Sequence, residues 1–236
     1  MFGPAGGWNG GGGGGGDGDG RGCVGATISA LVPDPRRAGA VKVEVDGRLM
    51  WTVTREAAEQ EGLRQGQLID EPLAQRLERA ADEEAAVRTA LRSLERRPFA
   101  RHDLSRRLVR KGHQPEAVEA ALDRLDTMGL LDDAAFAELY VQSKAPRGQG
   151  PRRLLHDLRG LGVADEVASE AVRRTFPPGY DLGPVVQELA AKRAGQLGDL
   201  PPAVKRRRLM AYLTRRGFGG AEVVDAVKGV VAAGAP

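Results

Sequence analysis

The chain has 236 residues, 41% hydrophobic and 28% charged, with a formal net charge of +3 and a pI near 9.2, a balance that belongs to a globular chain rather than a disordered one. Aromatics make up only 4%, which leaves Ala, Leu and Val to build the core and suits closely packed helices better than a sandwich or barrel. The single Cys23 excludes an internal disulfide, a CxxC redox pair and a cysteine-rich zinc site.

Residues 1–24 are dominated by glycine, unbroken from Gly10 to Gly16. A glycine run loses the most backbone entropy on ordering and has nothing to bury, so a disordered tail is expected. A phosphate loop is excluded there, because no GK[ST] follows and no strand or helix flanks the run. No secretory signal is visible, and no run approaches the ~20 apolar residues of a membrane span, so cytoplasmic residence is expected. Residues 25–71 read as a small β-rich module. Residues 27–32 form a candidate strand that stops at Pro33. Val41, Val43 and Val45 alternate with Lys42, Glu44 and Asp46, the period of a half-buried strand. Asp46-Gly47 signals a type I′ turn, and residues 49–53 supply the returning strand. Thr54 is placed to cap a short helix ended by Gly62, and residues 63–70 are expected to add one more strand.

Beyond Pro72 the period becomes helical. Leu73, Leu77, Ala80, Val87, Ala90, Leu91 and Leu94 fall on one stripe; Pro72 suits a first turn, and the helix must stop before Pro98. A unit then recurs three times: Leu104, Leu108, Gly112; Leu154, Leu158, Gly162; Leu209, Leu213, Gly217. The glycines lie 50 and 55 positions apart. Each unit reads as helix, basic loop, helix, glycine corner, helix, over residues 72–128, 129–177 and 178–236. The third helices carry Val118, Ala121 and Leu122 in the first copy and Val223, Val224 and Val227 in the last; the helix that opens the second copy carries Phe136, Leu139 and Tyr140, with Asp132 or Asp133 as its cap. A glycine corner between helices is the mark of helix-turn-helix packing. Its repetition predicts a mainly α protein, three tandem three-helix repeats in a curved, elongated solenoid, preceded by the β module and the glycine-rich tail.

Catalytic chemistry finds little support. His102, His113 and His156 have no Cys or carboxylate at ligand spacing, and no nucleophile elbow or Ser-His-Asp order appears. No enzyme, metal or cofactor is expected. The remaining signal is cationic. Residues 1–80 hold 9 Lys+Arg against 11 Asp+Glu, a net −2, so the rest of the chain carries +5. Its cations recur in the loop before each second helix and on the face of that helix opposite the leucines. We single out Arg106, Arg107, Arg110 and Lys111 in the first copy; Lys144, Arg147, Arg152 and Arg153 in the second; and Arg206, Arg207, Arg215 and Arg216 in the third. Stacked units would line these up as a strip suited to an acidic protein groove or to a nucleic-acid backbone. Base reading is disfavoured, because the helices after each glycine carry Glu116, Glu119, Asp165, Glu166, Glu170, Glu222 and Asp225, whereas major-groove helices present Arg, Asn or Gln.

Three stretches resemble one family. They are Leu131-Asp132-Asp133-Ala134-Ala135-Phe136-Ala137 with Tyr140-Val141; Arg147-Gly148 to Gly150 with Arg152, Leu154 and Asp157-Leu158, closing on Gly162-Val163; and Tyr212-Leu213-Thr214-Arg215-Arg216-Gly217-Phe218. These resemble the signatures of RecX, the bacterial regulator of the RecA recombinase, over about residues 84–232. The resemblance implies a non-enzymatic monomer that binds within the groove of the RecA filament. There it would restrain filament growth, ATP hydrolysis, strand exchange and co-protease action in the SOS response. The alternative is a DNA-binding protein whose helix-turn-helix-like repeats hold the phosphate backbone. Two departures stand out. Ala100 replaces a Ser that would cap the second helix of copy one, which predicts a weaker helix start. His113 replaces an aromatic after the first glycine, which predicts altered packing at that corner.

Overall fold

Between Ile28 and Thr54 the period-two pattern becomes a three-stranded antiparallel sheet in the order β1 (Ile28–Pro33), β2 (Ala40–Val45), β3 (Arg48–Thr54). The computed structural model describes residues 23–233; the glycine-rich tail expected over residues 1–24 lies almost wholly outside them. Val41, Val43 and Val45 are buried while Lys42 and Glu44 are half-buried, as strand alternation requires. Asp46 and Gly47 both take positive φ, 50° and 75°, the backbone of a type I′ turn. Thr54 caps α1 (Arg55–Gln60), its Oγ1 accepting the Ala57 N–H at 3.1 Å. At the end of β1 the buried Asp34 carboxylate accepts the Arg36 N–H at 3.1 Å and pairs with Lys42 and Arg37. The backbone bond, with the two cations, holds its pKa below the usual carboxylate value.

Residues 63–70 are not the strand expected. Only an isolated antiparallel bridge, Thr27 to Leu68, forms there. Gly66 turns at φ +82° and the Gln67 N–H closes back on the Arg64 carbonyl, so the segment cannot stay extended long enough to join the sheet. It still closes the module's core, because Ile69 is fully buried with Ile28, Val43, Val53 and Leu77.

The chain divides into two compact units, the first ending at Ala86 and the second beginning at Val87. The division falls inside α2 (Glu71–Leu94), whose Leu73, Ala74 and Leu77 belong to the module's core. Asp70 starts this helix by accepting the Leu73 N–H at 2.8 Å. In the second unit, the remainder of α2 joins α3 (Arg101–Arg110) and α4 (Pro115–Thr127) as repeat one. Repeat two comprises α5 (Asp133–Lys144), a 3₁₀ turn at Ala145–Arg147, α6 (Pro151–Gly160) and α7 (Asp165–Thr175). Repeat three is α8 (Gly183–Gly195), α9 (Pro202–Arg215) and α10 (Ala221–Ala233). All six leucines of the repeated unit are fully buried, each worth on the order of 2 kcal/mol. Two expected core positions are not: Leu139 is 53% exposed and Val224 44%. Leu139 stands two residues from the buried Ala137 and Val141, ~200° round the helix, and Val224 one residue, ~100°, past the buried Val223.

The spacing of the repeated unit has a single local cause. The residue after each glycine donates its N–H to the second leucine's carbonyl: His113 to Leu108, Val163 to Leu158 and Phe218 to Leu213, at 3.3, 3.1 and 3.1 Å. The glycine N–H bonds the carbonyl three residues back, and the glycines take φ of +97°, +86° and +89°. This is the Schellman helix end, which places the glycine four positions after the last core leucine. His113, which stands where an apolar residue fills the corner in the other copies, places Nε2 3.2 Å from Thr89 Oγ1 on α2. The first corner is therefore tied through a polar contact.

Each later corner also rests on the repeat before it. A Cβ at Gly162 would overlap the His102 side chain, and one at Gly217 would overlap the Arg153 backbone nitrogen. At Gly112 a Cβ would meet nothing within 4 Å. The Gly150 and Arg152 N–H groups at the start of α6 donate to the Arg216 and Gly217 carbonyls, at 2.6 and 3.3 Å. The corner of repeat three thus satisfies amides that a helix start leaves open. The third copy closes the series differently. Helices α3 and α6 begin three residues before their first leucine, whereas α9 begins seven before, at Pro202. That extra turn is opened by Pro201-Pro202, which have no N–H groups for a further corner to bond.

Candidate partner-binding surface

Burial of the leucines dictates where the cations go. With Leu104 and Leu108 inside, Arg106 and Arg110 lie on the opposite face of α3 and are exposed; Arg152 and Arg207 stand likewise on α6 and α9. Lys111 and Arg216 occupy the helix C-caps before their glycines, and Arg215 the last helical position. Cations there are stabilised by the helix dipole, so part of the recurrence has a local cause.

The structure separates the twelve cations by what they touch. Arg106 donates to the Gly160 carbonyl at 2.9 Å and so ties repeat two to repeat one. Arg216 does the same for repeats three and two, donating to the Arg147 and Gly148 carbonyls at 2.8 and 3.0 Å. Arg153 pairs with Asp157 at 2.8 Å. Arg107 lies over the Phe99 ring at 5.5 Å, and Lys144 over Tyr140 at 5.6 Å. Arg152 gives its backbone N–H to the third corner. The other six, Arg110, Lys111, Arg147, Arg206, Arg207 and Arg215, are exposed and, like the Arg152 side chain, have no carboxylate within ion-pair distance among the described residues.

Several carboxylates on the third helices of repeats one and two are engaged at home. Arg101 binds Glu119 and Asp123 at 3.1 and 2.7 Å. Although burial works against its charge, those hydrogen bonds raise its pKa. Arg159 makes a forked pair with Asp165, at 2.8 and 3.2 Å. Glu170 bonds Arg173 and Arg174, which lowers its pKa. These acids neutralise cations of their own array.

One role escaped sequence reasoning. Asp132 caps its own helix, accepting the Ala134 and Ala135 N–H groups at 2.9 Å. Asp133 reaches across the repeat boundary and accepts the Arg101 N–H at 2.8 Å. It supplies the cap that Ala100 lacks, so α3 does not start weakly as expected. The doubled aspartate was the available signal: one acid is enough for one cap.

No three His, Cys, Asp or Glu side chains gather as a metal site among the described residues, and no helix there is long and apolar enough to cross a membrane. The architecture defines a helical-repeat protein that offers unneutralised cations along its second helices. Family models for the first, second and third three-helix domains of RecX match residues 86–125, 132–172 and 185–227. The chain is 38% identical over 148 residues to regulatory protein RecX of Halorhodospira halophila, covering 62% of this chain and 88% of that one. It is 39% identical over 139 residues to regulatory protein RecX of Chromohalobacter salexigens, covering 58% and 88%. The chain belongs to the RecX family. Its fold is also that of a crystal structure of regulatory protein RecX, with TM-score 0.66 and 24% identity over 86% of this chain and 99% of that one. A RecX structure from Lactobacillus salivarius matches with TM-score 0.52 and 19% identity, over 63% and 96%.

Proposed function

We propose that this protein is a cytoplasmic, non-enzymatic regulator that binds the RecA filament on DNA and restrains its growth, its ATP hydrolysis, its strand exchange and its co-protease action. Membership of the RecX family supports the reading. The observation that carries it is the set of seven exposed cations without carboxylate partners, Arg152 among them, recurring at the second helices of a stacked array and the loop before one of them. Guanidinium groups held on rigid helices suit an acidic protein groove or the phosphates inside a nucleoprotein filament. The test is RecA ATPase on single-stranded DNA, with this protein added below stoichiometry. Inhibition is expected, and reversing Arg110, Arg147 and Arg207 to Glu should weaken it about tenfold, equivalent to ~1.4 kcal/mol, with the folded state intact by circular dichroism. Tight, salt-sensitive binding to DNA alone, with ATPase untouched, would replace this reading with the DNA-binding one.

A further inference from the structure

Two hollows occupy equivalent places at the two repeat junctions. The first, of about 460 Å³, opens between Arg97 and the helices α5 and α6, with Tyr140, Arg153, His156 and Asp157 in its wall. Its cations are neutralised: Arg153 by Asp157 at 2.8 Å and Arg97 by Asp103 at 3.7 Å. The second, of about 580 Å³, opens between the 3₁₀ turn, α8 and the end of α9. Arg147, Lys192, Arg193 and Arg216 line it, against the single carboxylate of Glu188. None of the four is in an ion pair among the described residues.

The second hollow is built rather than merely charged. The Tyr212 ring holds the Arg193 and Arg216 guanidinium groups at 5.5 and 4.9 Å from its centre. Arg216 is locked by its two carbonyl bonds, and Arg193 Nη1 donates to Gln196 at 2.9 Å. Arg193 Nε is out of reach of solvent and has no acceptor. A buried charged donor without a partner is unfavourable, and the packing against Tyr212 holds the guanidinium in place all the same. The rest of the wall is apolar, with Pro146, Val185 and Leu189.

We infer that this hollow seats the phosphate of a nucleotide. Four cations against one carboxylate leave three positive charges, more than one carboxylate side chain neutralises and suited to a phosphate ester. The apolar wall takes a sugar or base, and Glu188 is an acceptor for a hydroxyl or amino group on it. The volume lies within the usual range of small-ligand sites. The inference rests on reading the basic set as a partner surface, and it names what one part of that surface holds.

The test uses the full chain with its arginine Nε–H signals followed by magnetic resonance. It is titrated separately with thymidine monophosphate, thymidine, inorganic phosphate, a short oligothymidylate and a glutamate-rich peptide. The nucleotide and the oligomer are expected to shift the Arg193 and Arg216 signals, and thymidine is not. Tighter binding of the nucleotide identifies a free nucleotide as the source; tighter binding of the oligomer identifies a strand. Lys192→Glu and Arg147→Glu, both at exposed positions, should each weaken binding at least tenfold, while Arg97→Glu at the other junction leaves it unchanged. Tighter binding of the peptide, binding of inorganic phosphate that matches the nucleotide, or indifference to Lys192→Glu overturns the inference. RecA ATPase inhibition by the wild-type chain is read in parallel. Inhibition without nucleotide binding defeats this inference alone, and nucleotide binding without inhibition defeats the regulatory reading alone.

Discussion

At the junction of repeats one and two, the Gly162 corner rests on His102 at the start of α3. At the junction of repeats two and three, the Gly217 corner rests on Arg153 at the start of α6. The backbone move is the same, but the ties are not. The first is made by side chains, with Asp133 capping α3 and Arg106 reaching the Gly160 carbonyl. The second is made by backbone, with corner carbonyls accepting the Gly150 and Arg152 N–H groups, and by Arg216 on two carbonyls of the loop. No carboxylate takes part in these ties at the second junction, and the cations of its hollow stay unneutralised. The first junction spends acids on its cations. A repeated fold can thus hold itself together in two ways, and of the two hollows the one at the second junction keeps its positive charge.

The largest effect should come from filling the corners. Gly217→Ala adds a Cβ against the Arg153 backbone at a positive φ, and strain with overpacking together should cost roughly 3–5 kcal/mol in urea unfolding. Gly112→Ala, whose corner faces open space at φ +97°, should cost only about 1–2 kcal/mol. Equal losses would mean that repeat three does not dock through its corner.

Removing the cross-repeat cap comes next. Asp133→Ala should cost about 1–2 kcal/mol and speed hydrogen exchange at the Arg101 amide. Asp132→Ala should destabilise α5 by a similar amount while leaving that amide protected, which separates the two acids' roles.

Arg216→Lys should cost about 1 kcal/mol, since a compact ammonium loses the planar guanidinium's stack on Tyr212 that sets Nη1 against the two carbonyls. The smallest change in stability is expected from Asp157→Asn, below about 0.5 kcal/mol, because its partner Arg153 is half-exposed and four residues away on the same helix, and an amide oxygen still accepts from it. Its value lies elsewhere, because it moves the first junction electrostatically towards the second. Arg153 loses its counter-charge, and the variant should gain phosphate binding in titration. Tyr140, whose pKa burial and then Asp157 push up, should ionise at lower pH by ultraviolet titration. No change in either would show that Asp157 is not what quiets that hollow.

The sequence by itself determined whatever depends on residues close together in the chain. The Schellman end ties a glycine to a leucine four residues before it, so three copies of that spacing announced three repeats and their corners. Strand alternation and the Asp46-Gly47 turn announced the β2–β3 hairpin in the same way. The strand expected over residues 63–70 failed because a turn at Gly66 competed locally and prevailed. The cation list was legible as composition, but not as function. Whether an arginine is exposed and unpaired, like Arg147, or bonded across a junction, like Arg106 and Arg216, depends on carbonyls and carboxylates 50 to 70 positions away. The same holds for Asp133, whose partner amide belongs to another repeat. Tertiary structure alone decided which charges hold the array together and which remain for a partner, because a Coulomb or hydrogen-bond partner is set by distance in space.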